Sequence, residues 1–250
     1  MPHVSRIYIH PIKALDPVRV AAATVLASGA LELDRRWAFF DARERPINGK
    51  NRVEIHRVRP QYDLDRLEVT VDGQTFSLER EPQQIERWFS QRLNEPVVLR
   101  EDRAVGFPDD LDSPGPTFVT DASLQRVADW FGIELEEARR RFRTNIEAGG
   151  TEPFWEDRLY GDAFRIGDVR IDAINPCRRC IVPSRNPSTG EAYLGFQKRF
   201  MERREDERGA TPAPHLFDQH YRFAVNTRIP TSAGNRTIRE GDPVTFPADA

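Results

Sequence analysis

The only two cysteines among 250 residues stand three positions apart, in Ile174-Asn-Pro-Cys177-Arg-Arg-Cys180-Ile-Val-Pro-Ser-Arg-Asn-Pro-Ser-Thr-Gly190. Arg178 and Arg179 separate the thiols, and Arg185 follows. Cationic side chains beside a thiol favour the thiolate, a soft ligand suited to a soft or transition metal. The stretch therefore reads as a cysteine presented on a loop beside fixed positive charge, for a metal centre or an anionic group. Pro176 should stop regular pairing just before the first thiol. Asn186-Pro-Ser-Thr-Gly190 should close as a turn.

Four chemistries compete for the pair. A structural zinc site needs four ligands, and His215 with His220 could complete one. Their distance along the chain from the cysteines lies well outside the usual finger spacing. A thioredoxin-like dithiol requires a βαβ setting, whereas this loop follows a hairpin pattern. Two inert buried thiols would not want flanking arginines. A metal-binding or persulfide-forming Cys180, with Cys177 as its neighbour, fits best.

These residues need a scaffold, and composition bounds it. The chain is long enough for one large domain or two smaller ones. With 31% charged and 38% hydrophobic residues and a mean hydropathy of −0.63, it reads as a soluble globular protein. A net charge of −3 gives no global reason to expect nucleic acid. The apolar run from Val20 to Ala27 is too short for a membrane span. The N-terminus lacks a signal-peptide layout. Two close thiols fit a reducing compartment, the cytoplasm. Nineteen prolines and fifteen glycines imply many turns and a β-rich fold.

Alternation predicts strands around Ile7–Ile9, Trp37–Phe40, Val53–Ile55 and Leu67–Val71, the last turned by Asp72-Gly73. Such spacing suggests a small barrel or sandwich. Ile85, Trp88, Phe89 and Leu93 share one face of a helix over 84–93. A strand over 97–100 follows, and the Asp-, Gly- and Pro-rich stretch 101–116 places a domain boundary near residue 100. Thr120-Asp-Ala-Ser starts a helix that Gly132 ends. A second short helix covers 134–141, and Arg141 to Ile146 enters a strand that Gly149-Gly150 breaks. A hairpin around Gly167-Asp168 leads into the cysteine loop. A helix over 196–204 and strands over 222–228 and 243–246 complete the chain.

Several signatures are missing. There is no G-x-G-x-x-G, no Walker A loop, no H-E-x-x-H and no G-x-S-x-G. Two cysteines cannot supply four thiolates to an iron–sulfur cluster. Redox chemistry here must draw electrons from an external electron-transfer protein or a soluble reductant. Arg178, Arg179 and Arg185 would suit an acidic partner surface.

Pro-Cys-Arg-Arg-Cys-Ile-Val-Pro followed by Asn-Pro-Ser-Thr-Gly resembles the signature loop of the MOSC family, named for the C-terminal domain of molybdenum cofactor sulfurase. The likeness runs along nearly the whole chain. Val4 to Lys13, Asp34-Arg-Arg-Trp-Ala-Phe-Phe-Asp41, Asn48-Gly-Lys, Thr120-Asp-Ala-Ser-Leu, Arg141-Phe-Arg-Thr-Asn-Ile, Gly161-Asp-Ala-Phe and Gly241-Asp-Pro-Val recur in family order.

The resemblance implies a mainly β, α+β fold of two β-barrels: a MOSC N-terminal β-barrel domain over 1–100 and a MOSC domain over 101–250. It implies a molybdenum cofactor (molybdopterin) between them, with Cys180 as metal ligand and catalytic centre. Lys13, Arg35, Ser113, Arg143, Asn145 and Arg178 match cofactor-contacting positions of the amidoxime-reducing members. Asn145, two residues beyond Arg143, would share its face of an extended segment and hydrogen-bond the pterin. Ala14 and Arg178 stand where those members usually carry serine, and Thr144 where they carry proline. The implied activity is reduction of small N-hydroxylated compounds. A sulfur-carrier or cofactor-transfer role without turnover is the alternative.

Overall fold

The computed structural model describes residues 1–207, 213–217 and 219–246. In chain order the elements are β1 (His3–Ile9), β2 (Val18–Val20), β3 (Ala22–Thr24), β4 (Trp37–Asp41), β5 (Gln61–Asp63), β6 (Glu68–Val71), β7 (Gln74–Ser77), α1 (Pro82–Leu93) and β8 (Val97–Glu101). Then come β9 (Phe118–Thr120), α2 (Asp121–Phe131), α3 (Leu135–Phe142), β10 (Ile146–Gly149), β11 (Ala163–Ile166), β12 (Val169–Arg178), α4 (Phe196–Asp206), β13 (Arg222–Arg228), β14 (Thr237–Arg239) and β15 (Val244–Thr245). The class is mixed α/β, with four α-helices among the described residues.

One eight-stranded sheet dominates, in the order β15-β11-β12-β13-β9-β10-β1-β2. It joins the N-terminal strand to the second half of the chain, because β1 pairs antiparallel with β10. The sheet curls until β15 comes back toward β1. Val4 N–H donates to the Asp242 carbonyl at 2.9 Å, and Val244 N–H to the Pro2 carbonyl at 2.9 Å. The remaining strands form three small sheets, β14-β3, β4-β8 and β5-β6-β7. The expected pair of closed barrels is thus met only in part: the strands of residues 37–101 pair as two short ribbons rather than one closed ring.

Each core follows from the apolar positions. Ile7, Ile146, Phe118, Phe164, Val169 and Val225 fill the inside of the large sheet. Trp37, Phe39, Val69, Ile85 and Phe89 bury α1 against the small sheets. A third cluster, with Leu124, Phe131, Phe142, Phe196 and Phe223, packs α2, α3 and α4 together.

Local signals mostly act as read. Thr120 caps α2 by accepting Ser123 N–H at 3.2 Å, and Gly132 ends it in the left-handed conformation. Three readings need correction. Val53–Arg57 is a 3-10 turn, not a strand. Its buried residue, Ile55, and Val58 just after it lie three apart, the period of that helix rather than of a strand. Residues 141–142 belong to α3, and the strand begins only at Ile146, because Arg143 stops the helix at φ 54°. Finally, β12 runs through Pro176 to Arg178. Pro176 sits opposite Val225, beside an irregular step in register before Arg178, where an absent N–H is tolerated. Cys177 therefore lies within the strand, next to its last residue, and only Cys180 stands on the loop.

Candidate functional site

The cysteine loop is held from outside by α3. Arg141, almost fully buried, donates from Nη1 to the Pro183 carbonyl at 2.8 Å and the Arg185 carbonyl at 2.7 Å. Arg140 Nη2 takes the Pro187 carbonyl at 2.8 Å. The expected turn forms: Asn186 Oδ1 accepts Ser188 N–H at 2.8 Å and Thr189 N–H at 3.1 Å. Gly190 has φ 79°, and a Cβ there would meet Val53 Cγ1 at 2.4 Å. Glycine lets this turn lie against the 53–57 segment.

Within that frame Cys180 is partly exposed, and its Sγ accepts the Val182 N–H at 3.4 Å. Cys177 Sγ lies 3.1 Å from Arg179 Nη1. Arg179 is itself fixed by a hydrogen bond to the Phe142 carbonyl and by the Phe142 ring beneath it. Both thiols open on a cavity of about 810 Å³ between the cysteine loop, the 107–115 loop, and the turns at residues 13–16 and 34–35. Ten lysine and arginine side chains line it against four aspartates. A strongly electropositive cavity thus sits in a chain whose net charge is −3.

All seven residues singled out from the sequence, Lys13, Arg35, Ser113, Arg143, Asn145, Arg178 and Cys180, line this one cavity. Their situations differ. Lys13 Nζ is already engaged by the Phe107 carbonyl at 2.8 Å, the Pro108 carbonyl at 3.1 Å and the Asp109 carboxylate at 2.9 Å. Arg35, left-handed at φ 52°, pairs with its neighbour Asp34. Burial would raise Asp34, but Arg35 and the His10 contacts outweigh it and hold the carboxyl below its usual range.

His10, fully buried, keeps Nδ1 3.5 Å from Asp34 Oδ1. Burial, then the Arg143 charge, push its pKa down to about 3, so the imidazole is neutral near pH 7.

Arg143 donates from Nη2 to the Leu15 carbonyl at 2.6 Å. Among the described residues no carboxylate reaches it within salt-bridge distance, and burial lowers its pKa. Ser113 is buried, and its hydroxyl has no hydrogen-bond partner among the described residues. Arg178 is exposed at the mouth, its guanidinium against the Gln219 carboxamide.

Asn145 lines the cavity with its carboxamide engaged by protein groups. Its carboxamide donates to the Tyr8 carbonyl at 3.1 Å and Asp34 Oδ1 at 3.0 Å. It accepts from Thr117 N–H at 3.2 Å and Thr117 Oγ1 at 3.1 Å. Every donor and lone pair is in use, so Asn145 positions Asp34 and Arg35 from below the cavity.

Sequence reasoning did not reach His10, Asp34, Arg141 or Arg222 as parts of the site. The Asp34-Arg35 adjacency was a usable signal; the placement of Arg222 depends on strand register and had none. His215 also lines the cavity. However, no group of three or more His, Cys, Asp or Glu among the described residues could hold a metal ion, so the four-ligand zinc arrangement does not form. No helix among them is long and apolar enough to cross a membrane.

Comparison with known proteins places the chain in a family. Over 227 residues, covering 76% of this chain, it is 23% identical to the molybdenum cofactor sulfurase of Drosophila grimshawi. It spans only 29% of that protein's length. Mitochondrial amidoxime-reducing component 1 of Xenopus laevis is 24% identical over 96% of this chain and 81% of its own length. Residues 1–91 match the MOSC N-terminal beta barrel domain and residues 117–245 the MOSC domain, which places the cysteine loop inside the second match: the chain belongs to the MOSC family.

Proposed function

We propose that this protein is a molybdenum-cofactor oxidoreductase that reduces N-hydroxylated compounds, amidoximes and hydroxylamines, with electrons from a separate redox protein. One observation carries the reading: a partly exposed Cys180 thiol opens on a cavity whose cations include a guanidinium, Arg143, that no carboxylate among the described residues pairs with. The likeness to an amidoxime-reducing component over nearly the whole chain supports the substrate class. The likeness to molybdenum cofactor sulfurase supports the cofactor.

The residues present fit such a group. Cys180 would hold the metal through its sulfur. Arg143, with Arg35 beside it, would meet the anionic part of the pterin, and the orphaned Ser113 hydroxyl would gain the partner it lacks. When bound, the cofactor supplies two-electron redox chemistry and a Lewis acid for the N–O oxygen. Asn145 fixes Asp34, which in turn holds the Arg35 guanidinium toward the cavity. Lys13 clamps the 107–109 segment against one side of the cavity.

The test is metal analysis of the purified protein together with turnover of an amidoxime by a reduced viologen dye. The expected result is molybdenum, turnover with the dye, and none with NADH alone. Absence of molybdenum from protein made in a cofactor-producing host would sink the reading.

A second reading, transfer of sulfur or cofactor without turnover, draws on the sulfurase likeness. A Cys180 persulfide seen by mass spectrometry without metal, or full molybdenum with no turnover by any donor, would select it.

A further inference from the structure

Four aspartates line the cavity into which Cys180 opens, and three of them are held by cations. Asp16 meets Arg59 and Arg140, Asp34 meets Arg35, and Asp109 meets Lys13. Asp110 has no cationic partner among the described residues. Its Oδ1 accepts the Asp112 N–H at 3.0 Å, and its Oδ2 accepts from Asn226 Nδ2 at 3.4 Å. The same Nδ2 donates to Asn175 Oδ1 at 3.1 Å. Asn175 and Asn226 stand opposite each other on β12 and β13, and both line the cavity. Among the described residues, nothing donates to Asn226 Oδ1. A part-buried carboxylate and a nearby carboxamide oxygen are thus open to a ligand that brings N–H donors and positive charge. Leu111, next to Asp110 in the chain, is 79% exposed and lines the same cavity, so apolar surface is at hand for the rest of such a ligand.

We propose that Asp110, with Asn226, binds the N–C–N end of the substrate, so that the protein prefers N-hydroxylated compounds whose product is a cation: amidoximes and N-hydroxyguanidines rather than hydroxamic acids. The proposal rests on the N-reduction reading above and narrows it. An amidoxime takes up two electrons and three protons, its N–O bond breaks, and an amidinium ion and water are formed. The electrons come from the separate redox protein and the protons from solvent. Amidines are strong bases, so positive charge develops on the N–C–N unit as the oxygen departs. A carboxylate fixed beside that unit binds the developing charge more strongly than the neutral substrate, which favours the reaction.

The experiment is titration calorimetry on the purified protein without an electron donor, so that binding is read apart from turnover. The ligands are benzamidine, a cation near neutral pH, and benzamide, its neutral isostere. Benzamidine should bind about tenfold more tightly to the wild type, as expected of one charge-assisted contact. High salt should narrow the gap. Asp110→Asn, which keeps an oxygen for the Asp112 N–H, should abolish it.

Dye-driven turnover of benzamidoxime is measured alongside. Turnover combined with equal affinities for the two ligands, or with a preference that survives Asp110→Asn, would overturn the proposal and leave N-reduction standing. Loss of molybdenum from Asp110→Asn would assign the carboxylate to the cofactor's surroundings and overturn it as well. If benzamidoxime is not turned over by any donor, N-reduction itself fails and this inference fails with it.

Discussion

Asn145 donates from Nδ2 to Asp34 Oδ1 at 3.0 Å, which ties the residue before β10 to the turn that carries Arg35. The same carboxamide reaches β1 through Tyr8 and the entry to β9 through Thr117. One buried side chain thereby sets the floor of the cavity across three stretches distant in sequence.

Removing it should be felt in folding as well as in the site. Asn145→Ala leaves the Tyr8 carbonyl, the Asp34 carboxylate and the Thr117 groups without a shared partner. Buried polar groups stripped of partners cost about 1–3 kcal/mol each before relaxation, so a loss of roughly 2–4 kcal/mol is expected in urea unfolding. A loss below about 0.5 kcal/mol, the size of an ordinary surface change, would show that the network is not what positions Arg35.

The cationic residues should not be equivalent. Lys13 already holds two carbonyls and Asp109, whereas Arg143 holds a single carbonyl. Arg143→Ala should reduce molybdenum retention on dialysis by roughly tenfold or more, the size of one charge-assisted contact to an anion. Lys13→Ala should act less on retention and more on the 107–109 segment, read as faster proteolysis there. Equal retention losses in the two variants would contradict this division.

The thiols should differ as well. Cys180→Ala should abolish metal binding, because no second protein ligand is proposed. Cys177→Ala should leave most of the metal, since that sulfur lies on strand β12 and beside Arg179. Plasma mass spectrometry on both variants decides it. Full metal in Cys180→Ala defeats the cofactor reading, and equal losses favour a shared site.

Legibility from sequence varied with the range of the interaction. Cys180 could be read from residue type and its neighbours, because thiol and arginine chemistry is local. The caps at Thr120 and Gly132 are local too. The convergence of Lys13, Arg35, Ser113 and Arg143 was available only through family resemblance, since strand pairing over more than a hundred residues brings them together. The network around Asn145 was out of reach for the same reason: its partners Tyr8, Asp34 and Thr117 are distant in sequence. Arg178 and Arg222 face each other only after irregular steps in the β12–β13 register, which no pattern along the chain announces.

Behind the site, Glu156 makes a pH-dependent contribution whose sign can be worked out. It is buried, accepting from Thr120 Oγ1 at 3.0 Å and Ser123 Oγ at 2.8 Å. Burial first, then the neighbouring Asp157 charge, push its pKa up to about 7 from 4.5. The folded state therefore holds this proton more tightly than the unfolded chain does. Below about pH 4.5 both states are protonated and the group is neutral to stability. Between there and about pH 7 the unfolded chain ionises first, so stability falls as pH rises, by up to roughly 3 kcal/mol in total. Glu156→Gln keeps an acceptor for both hydroxyls and cannot ionise. Urea midpoints of the two proteins should nearly coincide at pH 5 and separate by pH 8, with the variant the more stable. Parallel midpoints across that range would mean that Glu156 titrates alike in the folded and unfolded chain, and that the contacts with Thr120 and Ser123 hold its carboxylate despite burial.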